Sequence, residues 1–122
     1  MKNEENDLAA RTKLYARGII RMFARLSKDT AAQILGRQVL RSGTSIGANY
    51  READRARSKA EFIAKIGDCL KELDETSYWL ELLTRSGTVP APKLESHQDE
   101  TQQLLAILTT ISKNAKKGND EG

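Results

Sequence analysis

Residues 41–62, RSGTSIGANYREADRARSKAEF, decide the fold, because a helical period runs on through residues that ordinarily interrupt one. At about 100° per residue, Leu35, Val39, Ile46, Tyr50 and Ala53 fall on one narrow arc, with Ser42 and Asn49 at its edge. Gly36, Gly43, Gly47 and Tyr50 fall on a second arc beside it. A glycine inside a helix costs roughly 1 kcal/mol against alanine, so three on one arc predict a second helix packed closely enough to offset the cost. On the other flank Ser42, Ser45, Asn49 and Glu52 make a polar stripe, and Arg37, Arg41, Arg51 and Arg55 lie opposite the core.

The polar stripe admits two readings. Its side chains hydrogen-bond neighbouring helices, as buried polar groups normally do, or they form a ligand or partner site, since weak helix formers rarely gather on one flank. A phosphate-binding loop is excluded. That motif needs four residues between its glycines and then Lys with Ser or Thr, whereas GTSIGAN has three between and Ala-Asn after.

Outward from this stretch the chain reads as helix. Two prolines, few aromatics and abundant Ala, Leu, Glu, Lys and Arg in 122 residues suit a single all-α domain. The first helix is expected over about 7–26, with Leu8, Thr12, Tyr15, Ile19, Met22, Phe23 and Leu26 repeating at threes and fours. On its far side Lys13, Arg17, Arg21 and Arg25, continued by Lys28, form a cationic ladder with no acidic residue interleaved. A merely solvated face usually mixes signs to gain i,i+4 pairs.

Thr30 with Gln33 matches a capping box and starts a second helix over about 30–56, and Ser58 with Glu61 starts a third over about 58–86. The tight turn between them makes neighbours antiparallel. Phe62, Ile63, Ile66, Cys69, Leu70, Leu73, Ser77 and Leu80 share the core arc of the third helix, with Glu61, Lys65, Asp68, Glu72 and Glu75 opposite. Tyr78, Trp79 and Leu82 turn off that arc, and an apolar patch of this kind marks an oligomer interface. After the loop SGTVPAPK a fourth helix is expected over about 91–116, its apolar face built on Leu94, Thr101, Leu104, Leu108 and Ile111, with 117–122 a frayed tail. His97 reads as a hydrogen-bonded structural histidine. The whole is an antiparallel up-and-down four-helix bundle.

Residues 1–60 carry 13 basic and 6 acidic residues, and 61–122 carry 7 and 11, although the net charge is only +3. A local basic surface recruits polyanions, so RNA or DNA and an acidic protein face are the partner classes to test. One cysteine, Cys69, allows no internal disulfide, and the chain shows neither a signal-peptide pattern nor an apolar run of about 18 residues. Cytoplasmic residence without membrane contact is the expectation. With one His and one Cys, and no converging carboxylate pair, the pattern supplies no nucleophile and base, no metal set and no cofactor motif.

The motif residues Gln38, Arg41, Ser45, Ile46, Ala48, Asn49 and Glu52, followed by Phe62 in SKAEF and the Leu70, Glu72, Leu73 register, resemble the S23-like family encoded in bacterial 23S rRNA intervening sequences. The likeness spans roughly residues 10–115. Members more often carry Pro in place of Gly47 and Gly in place of Ala53. The resemblance implies a four-helix bundle that assembles into a homo-oligomeric ring, commonly a pentamer, and an association with RNA. The cations Lys13, Arg17, Arg21, Arg25, Arg37, Arg41, Arg51 and Arg55 are the candidate phosphate contacts. The competing expectation is a ring that scaffolds a protein partner without touching nucleic acid.

Overall fold

The computed structural model describes residues 7–121, with side chains described as far as Gly118. Four helices follow one another: α1 (Leu8–Ala24), α2 (Thr30–Asp54), α3 (Lys59–Arg85) and α4 (Ala91–Glu121). Contacts between them fix the directions. Residues 42, 46 and 52 of α2 meet residues 76, 69 and 65 of α3, so numbers rise on one helix as they fall on the other. The same reversal holds for Gly36, Gly43 and Gly47 against Phe23, Ile19 and Thr12, and for Lys59 and Ser77 of α3 against Gly118 and Gln98 of α4. The bundle is antiparallel and up-and-down.

The first three helices each begin where a side chain can accept from an orphan backbone amide. Asp7 accepts from Ala10 N at 3.2 Å, and Ser58 accepts from Glu61 N at 3.0 Å while Glu61 reaches back to Arg57 N. At α2 the expected cap, Thr30, lies inside the helix. Asp29 takes the role instead, accepting from Ala32 N at 2.9 Å and from Ser27 Oγ at 2.7 Å, because its carboxylate also meets the positive end of the helix. These bonds hold the Asp29 carboxyl below its usual range, the Ala32 amide first. Gly87, at φ 77°, is the one described residue with positive φ, and it turns the chain out of α3.

The segment expected to fray is helical. The helix α4 runs to Glu121 rather than stopping near residue 116, and Gly118 lies against the Lys59 side chain at the start of α3.

The three glycines of α2 do what their arc requires. A Cβ at Gly43 would stand 3.0 and 3.1 Å from the two γ carbons of Ile19, and one at Gly47 would stand 3.2 Å from Thr12 Oγ1. The side chains of Ile19 and Thr12 therefore seat directly against the α2 backbone, with no α2 side chain between. Val39, Ile46, Ile66, Leu73, Leu80, Leu104 and Leu108 are fully buried in one continuous core. Leu35, expected among them, is only half-buried.

Cys69 belongs to that core. Its thiol donates to Ile46 O at 3.6 Å, and burial pushes it up to about 12. Since the thiolate is the reactive form, the native protein at pH 8 should react with a thiol reagent about a thousandfold more slowly than the unfolded chain, following the rise from 9.0. Equal rates measured with and without denaturant would contradict this burial.

Candidate nucleic-acid interface

Lys13, Arg17, Arg21 and Arg25 stand on the solvent side of α1, outside its buried face. Among the described residues none of them has a carboxylate partner, in contrast to Arg11 at the start of the helix. That arginine forks onto Glu100 of α4 with two bonds of 2.7 Å and reaches Gln103 at 2.9 Å, in a half-buried geometry that favours bidentate pairing. The difference is angular, since Arg11 faces the α4 seam and the ladder faces away from it.

On α2 the register set by Gly43 against Ile19 and Gly47 against Thr12 places Arg37 level with the C-terminal end of α1 and Arg51 level with its N-terminal end. Both are exposed, as is Arg55. Arg41 is exposed too but turned to α3, where it lies 3.0 Å from Glu75 Oε2 and 3.6 Å from Glu72 Oε2. It is the member of the set that already has anionic partners within its own subunit. The other seven cations have no carboxylate partner among the described residues.

The polar stripe divides between its two readings. Ser42 is fully buried, donating to Gln38 O and accepting from Thr76 Oγ1 at 2.7 Å, and Glu52 pairs with Lys65 at 3.1 Å. Lys65 is held above its ordinary range, first by its hydrogen bond to Glu52. Ser45 turns back on its own helix, donating to Arg41 O. Asn49 is half-buried on the flank of α2, and its side chain has no hydrogen-bond partner among the described residues. Tying neighbouring helices together therefore explains Ser42 and Glu52, and Asn49 makes no hydrogen bond of that kind among the described residues.

Tyr78 is 55% exposed and meets Trp79 edge-on, with ring centroids 5.0 Å apart. Trp79 packs partly buried against the core, and Leu82 is half-buried. The Trp79 Nε1 and Glu72 Oε2 atoms are buried without a hydrogen-bond partner among the described residues. Across the α2/α3 seam Ile34, 56% exposed, stands level with Leu82 by the register above.

The structure also opens a groove that helical periodicity does not announce. The seam between α1 and α4 is closed at one end by Arg11–Glu100 and by Tyr15 Oη with Thr101 Oγ1 at 2.6 Å, where burial pushes the phenol up to about 12. Toward the other end it opens into a cavity of about 620 Å³. Its floor is Met22, Leu26, Val89 and Leu94, and its rim carries Arg21, Arg25, Lys93 and His97. The His97 ring, expected to be hydrogen-bonded, stands half-buried beside Gly18 with no hydrogen-bond partner among the described residues, and burial lowers its pKa.

No group of three or more possible metal ligands gathers among the described residues, and no described helix is long and apolar enough to cross a membrane. No curated protein matches the chain significantly. A crystal structure at 1.70 Å of a protein with unknown function from the S23 ribosomal protein family, from Bacteroides thetaiotaomicron, is 37% identical. It superposes with a TM-score of 0.83 over 91% of this chain and 99% of its own. Residues 4–110 match the family described as 23S rRNA-intervening sequence protein. With the helical bundle, the motif residues of α2 and this neighbour in agreement, the chain belongs to the 23S rRNA-intervening sequence protein family.

Proposed function

We propose that this protein is a non-enzymatic, oligomeric bundle that binds RNA or other nucleic acid through its phosphates. The observation that carries the reading is the outward ladder Lys13, Arg17, Arg21 and Arg25, which has no carboxylate partner among the described residues. Phosphate contacts from such a face give affinity and register but little sequence preference. Arg37, Arg51 and Arg55 extend the surface on α2, and the family name points to RNA as the polyanion to test first.

Self-association is the second half of the proposal. Ile34 and Tyr78, both exposed, with the partly buried Trp79 and Leu82 beside them, give an apolar patch on the α2/α3 side, away from the α1 ladder, that a neighbouring subunit would cover. A closed ring, a pentamer by the family resemblance, would repeat the ladder around its surface.

The test is a salt titration of structured-RNA affinity, with light scattering on the same samples. For about five phosphates engaged, log affinity against log salt should fall with a slope of roughly −3.5 to −4.5. Scattering should show several 13.6 kDa subunits. Absence of binding at low salt would end the nucleic-acid reading, and a 13.6 kDa particle at micromolar concentration would end the oligomer reading.

A further inference from the structure

We propose that the groove between the C-terminal half of α1 and the N-terminal half of α4 receives one unpaired nucleotide of a bound strand, its base on the apolar floor and its phosphate on the cationic rim. The inference rests on the nucleic-acid reading and adds to it a place where a base is held.

The cavity, about 620 Å³, lies within the range of roughly 300–1,000 Å³ typical of small-molecule sites. Its chemistry is divided. Met22, Leu26 and Val89 offer an apolar surface, while Arg21, Arg25 and Lys93 bring three cations to the rim with no carboxylate partner among the described residues. An occupant that satisfies both parts has a flat or apolar body joined to an anion.

Continuity with the ladder decides which such molecule it is. Arg17, Arg21 and Arg25 are spaced four residues apart, about 6 Å along the helix axis, and the last two belong to both the ladder and the groove. A phosphate backbone lying along α1 therefore arrives at the cavity mouth. A base-paired nucleotide has its faces covered by stacking, whereas an unpaired one can swing out and bury its ring on a protein surface. The His97 ring, half-buried at the wall with no hydrogen-bond partner among the described residues, stands where a base edge would need a polar group. Gly18 keeps the mouth open, since a Cβ there would meet only the His97 ring, at 3.5 Å from Cε1.

The test compares two RNA hairpins of matched length, one fully paired and one with a single-nucleotide bulge occupied by 2-aminopurine. Affinities are measured at one salt concentration, together with the fluorescence of the bulged base. The bulged hairpin should bind about tenfold more tightly, in line with the gain from holding one base, and its fluorescence should change on binding. Gly18→Leu, which fills the mouth and removes no charge, should bring the bulged hairpin down to the affinity of the paired one and abolish the fluorescence change. If Gly18→Leu fails to retain helicity and subunit number, Lys93→Glu serves as the second variant, and it should reduce the preference for the bulge about fivefold or more.

Equal affinity for both hairpins in the unmodified protein overturns the groove proposal while leaving the phosphate reading intact, provided the salt slope stays steep. Loss of binding to both hairpins at low salt overturns both. A free nucleoside monophosphate should compete only with the bulge-dependent part of the affinity. Its saturable binding without any preference for the bulge would assign the groove to a free nucleotide and overturn the proposal.

Discussion

Arg17→Glu together with Arg21→Glu should lower RNA affinity about a hundredfold at moderate salt and reduce the magnitude of the salt slope by about two, one for each phosphate that the surface no longer engages. Neither side chain has a carboxylate partner among the described residues, so neither contributes an ion pair to the fold. Helicity and subunit number should therefore stay as in the unmodified protein. The loss should be similar for every RNA tested, because phosphates carry no sequence information. Dissociation of the oligomer by the double mutant would instead make these arginines interface residues. The carboxylates able to receive them are restricted, since Glu72 and Asp68 already face Arg41 and Lys65 of the same subunit. Unchanged affinity with an unchanged slope would remove α1 from the binding surface altogether.

Gly43→Ala and Gly67→Ala should move stability in opposite directions, although both replace a helical glycine by the better helix former. A Cβ at Gly67 has nothing within 4 Å, so that variant should gain about 1 kcal/mol from backbone propensity alone. At Gly43 the same methyl would press against Cγ1, Cγ2 and Cβ of Ile19, at 3.0 to 3.4 Å. Ile19 is fully buried and β-branched, with little rotamer freedom to move aside. Overpacking of this kind typically costs about 1 to 3 kcal/mol, so the net result should be a loss, and Gly43→Leu should lose more. Denaturant unfolding of the two alanine variants decides the matter. A stabilised Gly43→Ala would show that α1 and α2 are not in close approach there. Gly36 is a milder case, because its Cβ would press first on Leu26 Cδ1, the far end of a flexible side chain.

Helix periods carry local information, and the expected helices agree with the structure within about two residues at every boundary except the end of α4. That exception has a physical basis. Residues 117–121 include no large apolar side chain, so periodicity gives no reason for the helix to continue. It does continue, alongside the start of α3. The displaced α2 cap is of the same kind. Thr30 and Asp29 both suit the motif, and only the backbone placement of the amides selects the aspartate.

The candidate site divides in the same manner. The ladder of α1 is visible as cations at four-residue spacing without interleaved acids, since charge and helical spacing are properties of one segment. The turning of Arg41 toward Glu72 and Glu75 is not, since it depends on the register of α2 against α3, which no local pattern contains. For the same reason no pattern in the chain signals that Asn49 lacks a partner inside the subunit or that Trp79 Nε1 is buried without one.

From the sequence alone came the all-α class, the antiparallel order of four helices, the glycine-lined contact of α2 and the unpaired cationic spacing of α1, because each follows from periodicity, turn length or side-chain volume within a short window. Only the tertiary structure decided which cations are already paired, that Ile34 and Tyr78 stand exposed, and that the α1/α4 seam is closed at Arg11 and open at Gly18. Those properties depend on the relative placement of two helices, and a small change in their separation converts a packed seam into a groove while the sequence of each helix stays the same.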